Sequence, residues 1–282
     1  MGNQLFQLAA GKTLALKYQT SLLVDTHFLE ANPQGLYTKR NYELNYFNLH
    51  IEKCPEPILR QIALQTSNNW FDKLLRKIPS NKTLYIYNEN GPQFNLTFNE
   101  LPDNTYLNGF WQSALYFKNC EQELRKELTI KNEFLTGIDN YLNKIQNSLS
   151  VSVHVRRGDY VNLKSANEFH GVCDLGYYQK AIEYINSNYE QAELFIFSDD
   201  IAWCKANLKA QNKLTYVETG VAIKDLYLMQ HCKHNIIANS SFSWWGAWLN
   251  ANNHKTVIAP KHWFNDSHIN TTDLIPTNWI KL

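Results

Sequence analysis

The sequence predicts an α/β fold, and three observations carry that expectation. Val151, Val153 and Val155 alternate with Ser152, His154 and Arg156, the period of two that a strand imposes. Four more short apolar runs follow, and helix-patterned segments alternate with them. Such repeated β-α units imply a parallel sheet covered on both faces. Polar groups gather just beyond three of these runs, at His154-Val155-Arg156-Arg157, Ser198-Asp199-Asp200 and Asn239-Ser240-Ser241. In open α/β sheets that is where ligands sit.

Taken in order, Leu5 to Lys17 has a roughly helical apolar spacing, and Ser21 to Asp25 reads as a short buried strand. Glu56 to Gln65 and Asn69 to Ile78 fit helices, and Leu84 to Tyr87 fits a strand. Tyr106 to Gln112 reads as another strand, then Cys120 to Leu128 and Glu133 to Gln146 as helices. Beyond Asn147 the order becomes regular. Strands at Val151–Val155, Leu194–Phe197, Lys213–Val217, Asn235–Ala238 and Thr256–Ala259 are interleaved with helices at Tyr177–Tyr189, Ile201–Leu208, Ile223–Cys232 and from Ser241 or Phe242 onward. A domain boundary is expected there, giving residues 1–147 and 148–282.

The 282 residues suit one large or two medium domains. Lys+Arg 27 against Asp+Glu 26 leaves a formal charge of +1, so no global field argues for nucleic acid or an anionic membrane. Any anion site must come from local clusters. The five cysteines are scattered and never spaced Cys-x-x-Cys, which argues against a disulfide framework or a zinc site. No apolar run approaches a membrane span, and the start lacks the pattern of a signal peptide. A cytoplasmic protein of unknown oligomeric state is expected.

Each strand end offers particular chemistry. Gly158 permits a sharp turn after Arg156-Arg157, and a guanidinium fork donates two parallel charge-assisted hydrogen bonds to a phosphate. A salt-bridged surface turn is the plainer alternative. Ser240-Ser241 at a helix start offers amides and hydroxyls to an anion, or simple capping, and the two are compatible. Asp199-Asp200 admits a divalent metal, a guanine or ribose partner for Asp200, or helix capping. Base or ribose recognition by Asp200 is preferred, because two arginines already neutralise a diphosphate. Trp244, Trp245 and Trp248 read as packing residues rather than sugar platforms.

These segments together resemble the glycosyltransferase family 11 fucosyltransferases, the α-1,2-fucosyltransferases of bacterial type that use GDP-fucose. The resemblance runs from Gly2-Asn3-Gln4-Leu5-Phe6-Gln7 through Gly109-Phe110-Trp111-Gln112-Ser113 to His154-Val155-Arg156-Arg157-Gly158-Asp159-Tyr160. It continues through Phe197-Ser198-Asp199-Asp200, Asn239-Ser240-Ser241-Phe242-Ser243-Trp244-Trp245 and Ala259-Pro260-Lys261-His262-Trp263-Phe264. It implies a GT-B architecture, two Rossmann-like domains facing across a cleft, with the acceptor on the N-terminal one and GDP-fucose on the C-terminal one. It also implies inverting transfer to the 2-hydroxyl of a terminal galactose, with no cofactor beyond the donor substrate and no obligatory metal. Arg156 would hold the β-phosphate with Arg157 beside it. His154 and Asp200 would lie near the nucleoside, and Ser240, Ser241 and Phe242 would close around the diphosphate. Asn3 would face the sugar cleft. Family members ordinarily carry a short apolar strand ahead of Gly-Asn-Gln, so that first strand is expected to be missing here.

Arg156 is the expected stabiliser of the leaving phosphate. For the base that deprotonates the acceptor, Asp159 ranks first and His170 second, with Glu168 in the same loop as His170. Alternatives are a fucosyltransferase of another linkage (α-1,6 or protein O-fucosyl), a non-catalytic carbohydrate-binding protein, or an Arg157-Gly158-Asp159 adhesion tripeptide.

Overall fold

The computed structural model describes residues 1–31, 40–67, 69, 84–158 and 171–282. The chain forms two compact units: one holds Met1 and Asn3–Leu128, the other Gly2 and Thr129–Leu282. The division falls before the one expected near Asn147. Helix α5, Asp139–Gln146, explains the shift, because Ile145 and the preceding Ile138 pack with Phe195 and Phe197 of the second unit's sheet.

The first unit is built on helix α1, Gly2–Tyr18, whose Leu5, Phe6, Ala9 and Ala10 are fully buried. Two parallel strand pairs accompany it. Strands β1 (Leu23–Val24) and β2 (Glu52–Lys53) form one, β3 (Tyr85–Asn88) and β4 (Thr105–Asn108) the other. Helices α2 (His27–Ala31), α3 (Glu56–Thr66) and α4 (Glu121–Glu127) complete the regular elements that matter here. The helix expected from Asn69 lies, apart from Asn69 itself, outside the described residues.

The strand expected over Tyr106 to Gln112 stops at Asn108. Trp111 takes a left-handed backbone with φ 56°, which a bulky side chain rarely adopts and which costs about 1–3 kcal/mol. Glu89 compensates, since its carboxylate accepts the N–H of Phe110 at 2.6 Å and of Trp111 at 2.8 Å. The Trp111 ring is buried, stacked on Tyr87 at 5.7 Å and edge-on to Tyr116 at 5.4 Å. Likewise the helix expected over Glu133 to Gln146 is interrupted. Gly137 sits at φ 77°, and a short 3-10 turn at Asn132–Phe134 precedes α5.

The second unit is a six-stranded, wholly parallel sheet. Its strands are β5 (Ser150–Val155), β6 (Glu193–Ser198), β7 (Leu214–Tyr216), β8 (His234–Ile236), β9 (Val257–Ala259) and β10 (Ile280–Lys281). They lie in the order β10-β9-β8-β5-β6-β7. Helices α6 (Leu175–Asn188), α7 (Ile201–Asn207), α8 (Ala222–His231) and α9 (Ser241–Leu249) connect them. Every residue of β5 is buried, as befits a central strand covered on both faces. From β5 the chain steps outward through β6 and β7, then returns to place β8 on the other side of β5. That reversal is the doubly wound order, and it puts the topological switch point between the carboxyl ends of β5 and β8. Among the described residues, no helix is long and apolar enough to cross a membrane.

Candidate functional site

The switch point gathers the residues that the strand-end pattern singles out. His154 is the penultimate residue of the central strand, and its ring lies 5.6 Å from that of Phe242 in the first turn of α9. The tip of β5 and the start of α9, which follows β8, therefore meet. Hydroxyls from α6 fix both strand tips. Tyr178 donates to the His154 carbonyl at 3.2 Å, and Tyr177 to the Ile237 carbonyl at 2.6 Å. Burial pushes both phenols well up, which keeps them neutral donors.

Asp199, just past β6, organises the arginines. Its Oδ2 pairs with Arg156 Nη1 at 2.7 Å, and its Oδ1 accepts the Arg157 backbone N–H at 2.9 Å. Gly158 follows with no room for a side chain, since a Cβ there would stand 2.7 Å from Asp199 Oδ2. Asp200 caps α7 by accepting the Trp203 N–H at 3.0 Å, and its other oxygen takes Arg157 Nε at 3.3 Å. The carboxylate expected beside the nucleoside is thus engaged as a helix cap and an arginine anchor. The Arg157 guanidinium also lies 4.0 Å over the Trp203 ring.

At β8's end, Asn239 is buried and its amide donates to the carbonyls of Gly171 at 3.3 Å and Trp263 at 3.2 Å. That fixes the entry into Ser240, whose hydroxyl caps α9 by accepting the Phe242 N–H at 3.4 Å. Ser241 opens the helix. Beneath it Trp244, Trp245 and Trp248 are buried against one another, and Trp244 Nε1 donates to the Leu274 carbonyl at 2.9 Å. They are packing residues, as expected.

His154 is 5% exposed, and its Nδ1 has no hydrogen-bond partner among the described residues. Burial, then the neighbouring Arg156 charge, push its pKa down to about 3, with Asp199 opposing. The imidazole is therefore neutral at neutral pH. Because the folded value lies below the ordinary 6.5, the unfolded chain binds the extra proton between about 3 and 6.5. Stability from this group is complete above that window and declines as pH falls through it. Urea unfolding from pH 7 down to 4 is expected to show a steeper loss for the wild type than for His154→Phe; parallel slopes would contradict the burial argument.

Asn3 lies in α1 of the first unit, where its side-chain oxygen accepts from Gln112 Nε2 at 2.8 Å. Asp159, His170 and Glu168, the residues expected to serve as base, lie outside the described residues. Among the described residues, no group of three or more His, Cys, Asp or Glu is gathered to hold a metal ion. Sequence reasoning placed Asn239 at a strand end but missed Tyr177, Tyr178 and Trp203 as supports of the site. Only the apolar-then-polar ending of each strand hinted that something must anchor the tips.

The model of glycosyl transferase family 11 matches residues 55–282. The chain belongs to that family. This family-11 chain is 34% identical to the O-antigen biosynthesis glycosyltransferase WbnK of Escherichia coli, covering 100% of this chain and 97% of that one. It is 32% identical to an alpha-1,2-colitosyltransferase of Escherichia coli, covering 100% and 96%. A galactoside 2-alpha-L-fucosyltransferase, Sec1 of Mus musculus, is 31% identical over 50% of this chain and 41% of its own length. A family-11 member is a glycosyltransferase, and the switch-point residues lie within the matched segment.

Proposed function

We propose that this glycosyltransferase is a GT-B enzyme that moves L-fucose, with inversion and without a metal, from GDP-fucose to the 2-hydroxyl of a terminal galactose. The observation that carries the proposal is the meeting of β5's tip with the start of α9 at the switch point, reported by the His154–Phe242 contact. As the bond to the nucleotide breaks, positive charge grows on the sugar ring and negative charge on the leaving phosphate. Arg156, held by Asp199, supplies a preoriented guanidinium to the phosphate, and the α9 N-terminus adds its dipole and the Ser240–Ser241 turn. Arg157 stays beside it, pinned by Asp200 and Trp203. Asp199 and Asp200, the carboxylates that a divalent ion would use, are both engaged by arginines, which supports charge neutralisation by side chains. Asp159, with His170 second, is the proposed base, and the β-phosphate, nucleoside and sugar-cleft roles of Arg156, His154 and Asn3 belong to the same reading.

The likeness to an alpha-1,2-colitosyltransferase favours a second donor, GDP-colitose, whose sugar lacks the 3-hydroxyl of fucose. GDP release with lactose, measured for both donors with and without chelator, tests the proposal. Fucosylated lactose carrying a 1,2 bond by NMR, at a chelator-independent rate, is the expected product. A preference for GDP-colitose would revise the donor, and no GDP release above hydrolysis with any galactoside would overturn the reading.

A further inference from the structure

The segment Gly109-Phe110-Trp111-Gln112 stands out in the sequence, yet no step above uses it. It forms a turn directly after β4 in the first unit, and it is held from two sides. Glu89, one residue past β3, accepts the N–H of Phe110 at 2.6 Å on one oxygen and of Trp111 at 2.8 Å on the other. Gly109 passes so close to Glu89 that no side chain fits there. From the other side, Gln7 of α1 donates its amide to the Gly109 carbonyl at 2.8 Å. Burial pushes the Glu89 carboxyl pKa up, and the two N–H groups pull it down. A partly desolvated carboxylate that holds a left-handed tryptophan is costly on both counts, and such costs collect where geometry serves function.

What the turn delivers is the side chain of Gln112, whose Nε2 donates to Asn3 Oδ1 at 2.8 Å. An amide side chain has one accepting end and one donating end, nearly equal in size, so only a hydrogen bond decides which way it points. With its oxygen held by Gln112, Asn3 turns its N–H2 the other way. Asn3 is one peptide bond from Gly2, which belongs to the second unit. A Cβ on Gly2 would stand 2.5 Å from Ser241 Oγ at the start of α9. The diphosphate proposed at that turn offers only acceptor oxygens, so the donating end of the amide is the useful one there.

We propose that Gln112 is a positioning residue for the transfer step: held in its turn by Glu89, it locks the Asn3 amide with the N–H2 toward the donor diphosphate. The inference rests on the glycosyl-transfer reading above and adds two residues that none of its steps names. The test is a double-mutant cycle on the full chain, with kcat and lactose KM measured at saturating GDP-fucose. Asn3→Ala and Gln112→Ala are each expected to lower kcat about tenfold with lactose KM within about twofold, since the lost donor acts on the leaving group. In the Asn3→Ala background, Gln112→Ala is expected to cost less than about twofold more, because the side chain it orients is gone. A merely structural loss would repeat in full, so an additive cycle overturns the proposal, as does an unchanged kcat in either single variant. Glu89→Gln sets an N–H2 against one of the two backbone N–H groups and is expected to follow Gln112→Ala; a folded variant with wild-type kcat also overturns the proposal. If Glu89→Gln fails to fold, the Gln112 cycle decides, because Gln112→Ala removes one half-buried hydrogen bond and no core side chain. If the wild type transfers no sugar, the function reading fails on its own. The lock is then judged by NMR with isotope-labelled glutamine. Slow solvent exchange of the Gln112 amide that Asn3→Ala makes fast upholds it, and equal exchange overturns it.

Discussion

Arg156→Lys is expected to lower kcat by about a hundredfold or more, the scale set by losing one preorganised donor to a developing oxyanion. GDP affinity should fall far less, because the α9 start and Arg157 remain. The reason lies in the Asp199 clamp. One arm of the guanidinium is on Asp199 at 2.7 Å, and the rigid planar fork then fixes the directions of its other N–H groups. A lysine ammonium would settle on the same carboxylate with no second arm held in register. Single-turnover rates beside GDP calorimetry separate the two effects. Turnover within about threefold of wild type would remove Arg156 from the chemical step, since a lost transition-state donor costs much more.

Trp244→Ala is expected to be the most destabilising single change in the second unit, by about 3–5 kcal/mol. The ring is fully buried, 5.2 Å from Trp245, 5.4 Å from Trp279 and stacked 6.3 Å from Trp248. Its removal leaves a cavity under α9 and takes away the donor to the Leu274 carbonyl. A fall in Tm on the order of 10 °C, read by circular dichroism, is the corresponding observable. A loss below about 1 kcal/mol would mean that the ring is not packed as described, and would revive a sugar-platform role.

Most of the second unit was legible from sequence because strands β5 to β9 coincide with short runs of apolar residues, three of which continue into polar groups at their carboxyl ends. The alternation over Val151 to Val155 and the Ser-Ser helix start located both sides of the switch point. What escaped was decided by contacts between distant residues. Nothing near Trp111 announces a left-handed backbone, since the compensating carboxylate, Glu89, comes from a distant position just past β3. Strand β10 is two residues long and gains its identity only from pairing with β9. Helix α5 is amphipathic in either unit, and only the Phe195–Phe197 surface decides where it belongs. Asp199 and Asp200 read equally well as metal ligands, base partners or anchors, because a sequence does not say which cation arrives.

The order of the sheet also bears on how the molecule is made. The central strand β5 pairs on one side with β6 but on the other with β8, where Ser152 and Asn235 are 83 residues apart. During synthesis β5 therefore emerges with one edge open and waits for distant chain to arrive. Long-range parallel pairing of this kind slows folding and exposes an apolar edge in the meantime. The strand that ends at the proposed donor site is thus the one completed late, so on that reading the ability to hold nucleotide should emerge only after nearly the whole second unit has left the ribosome.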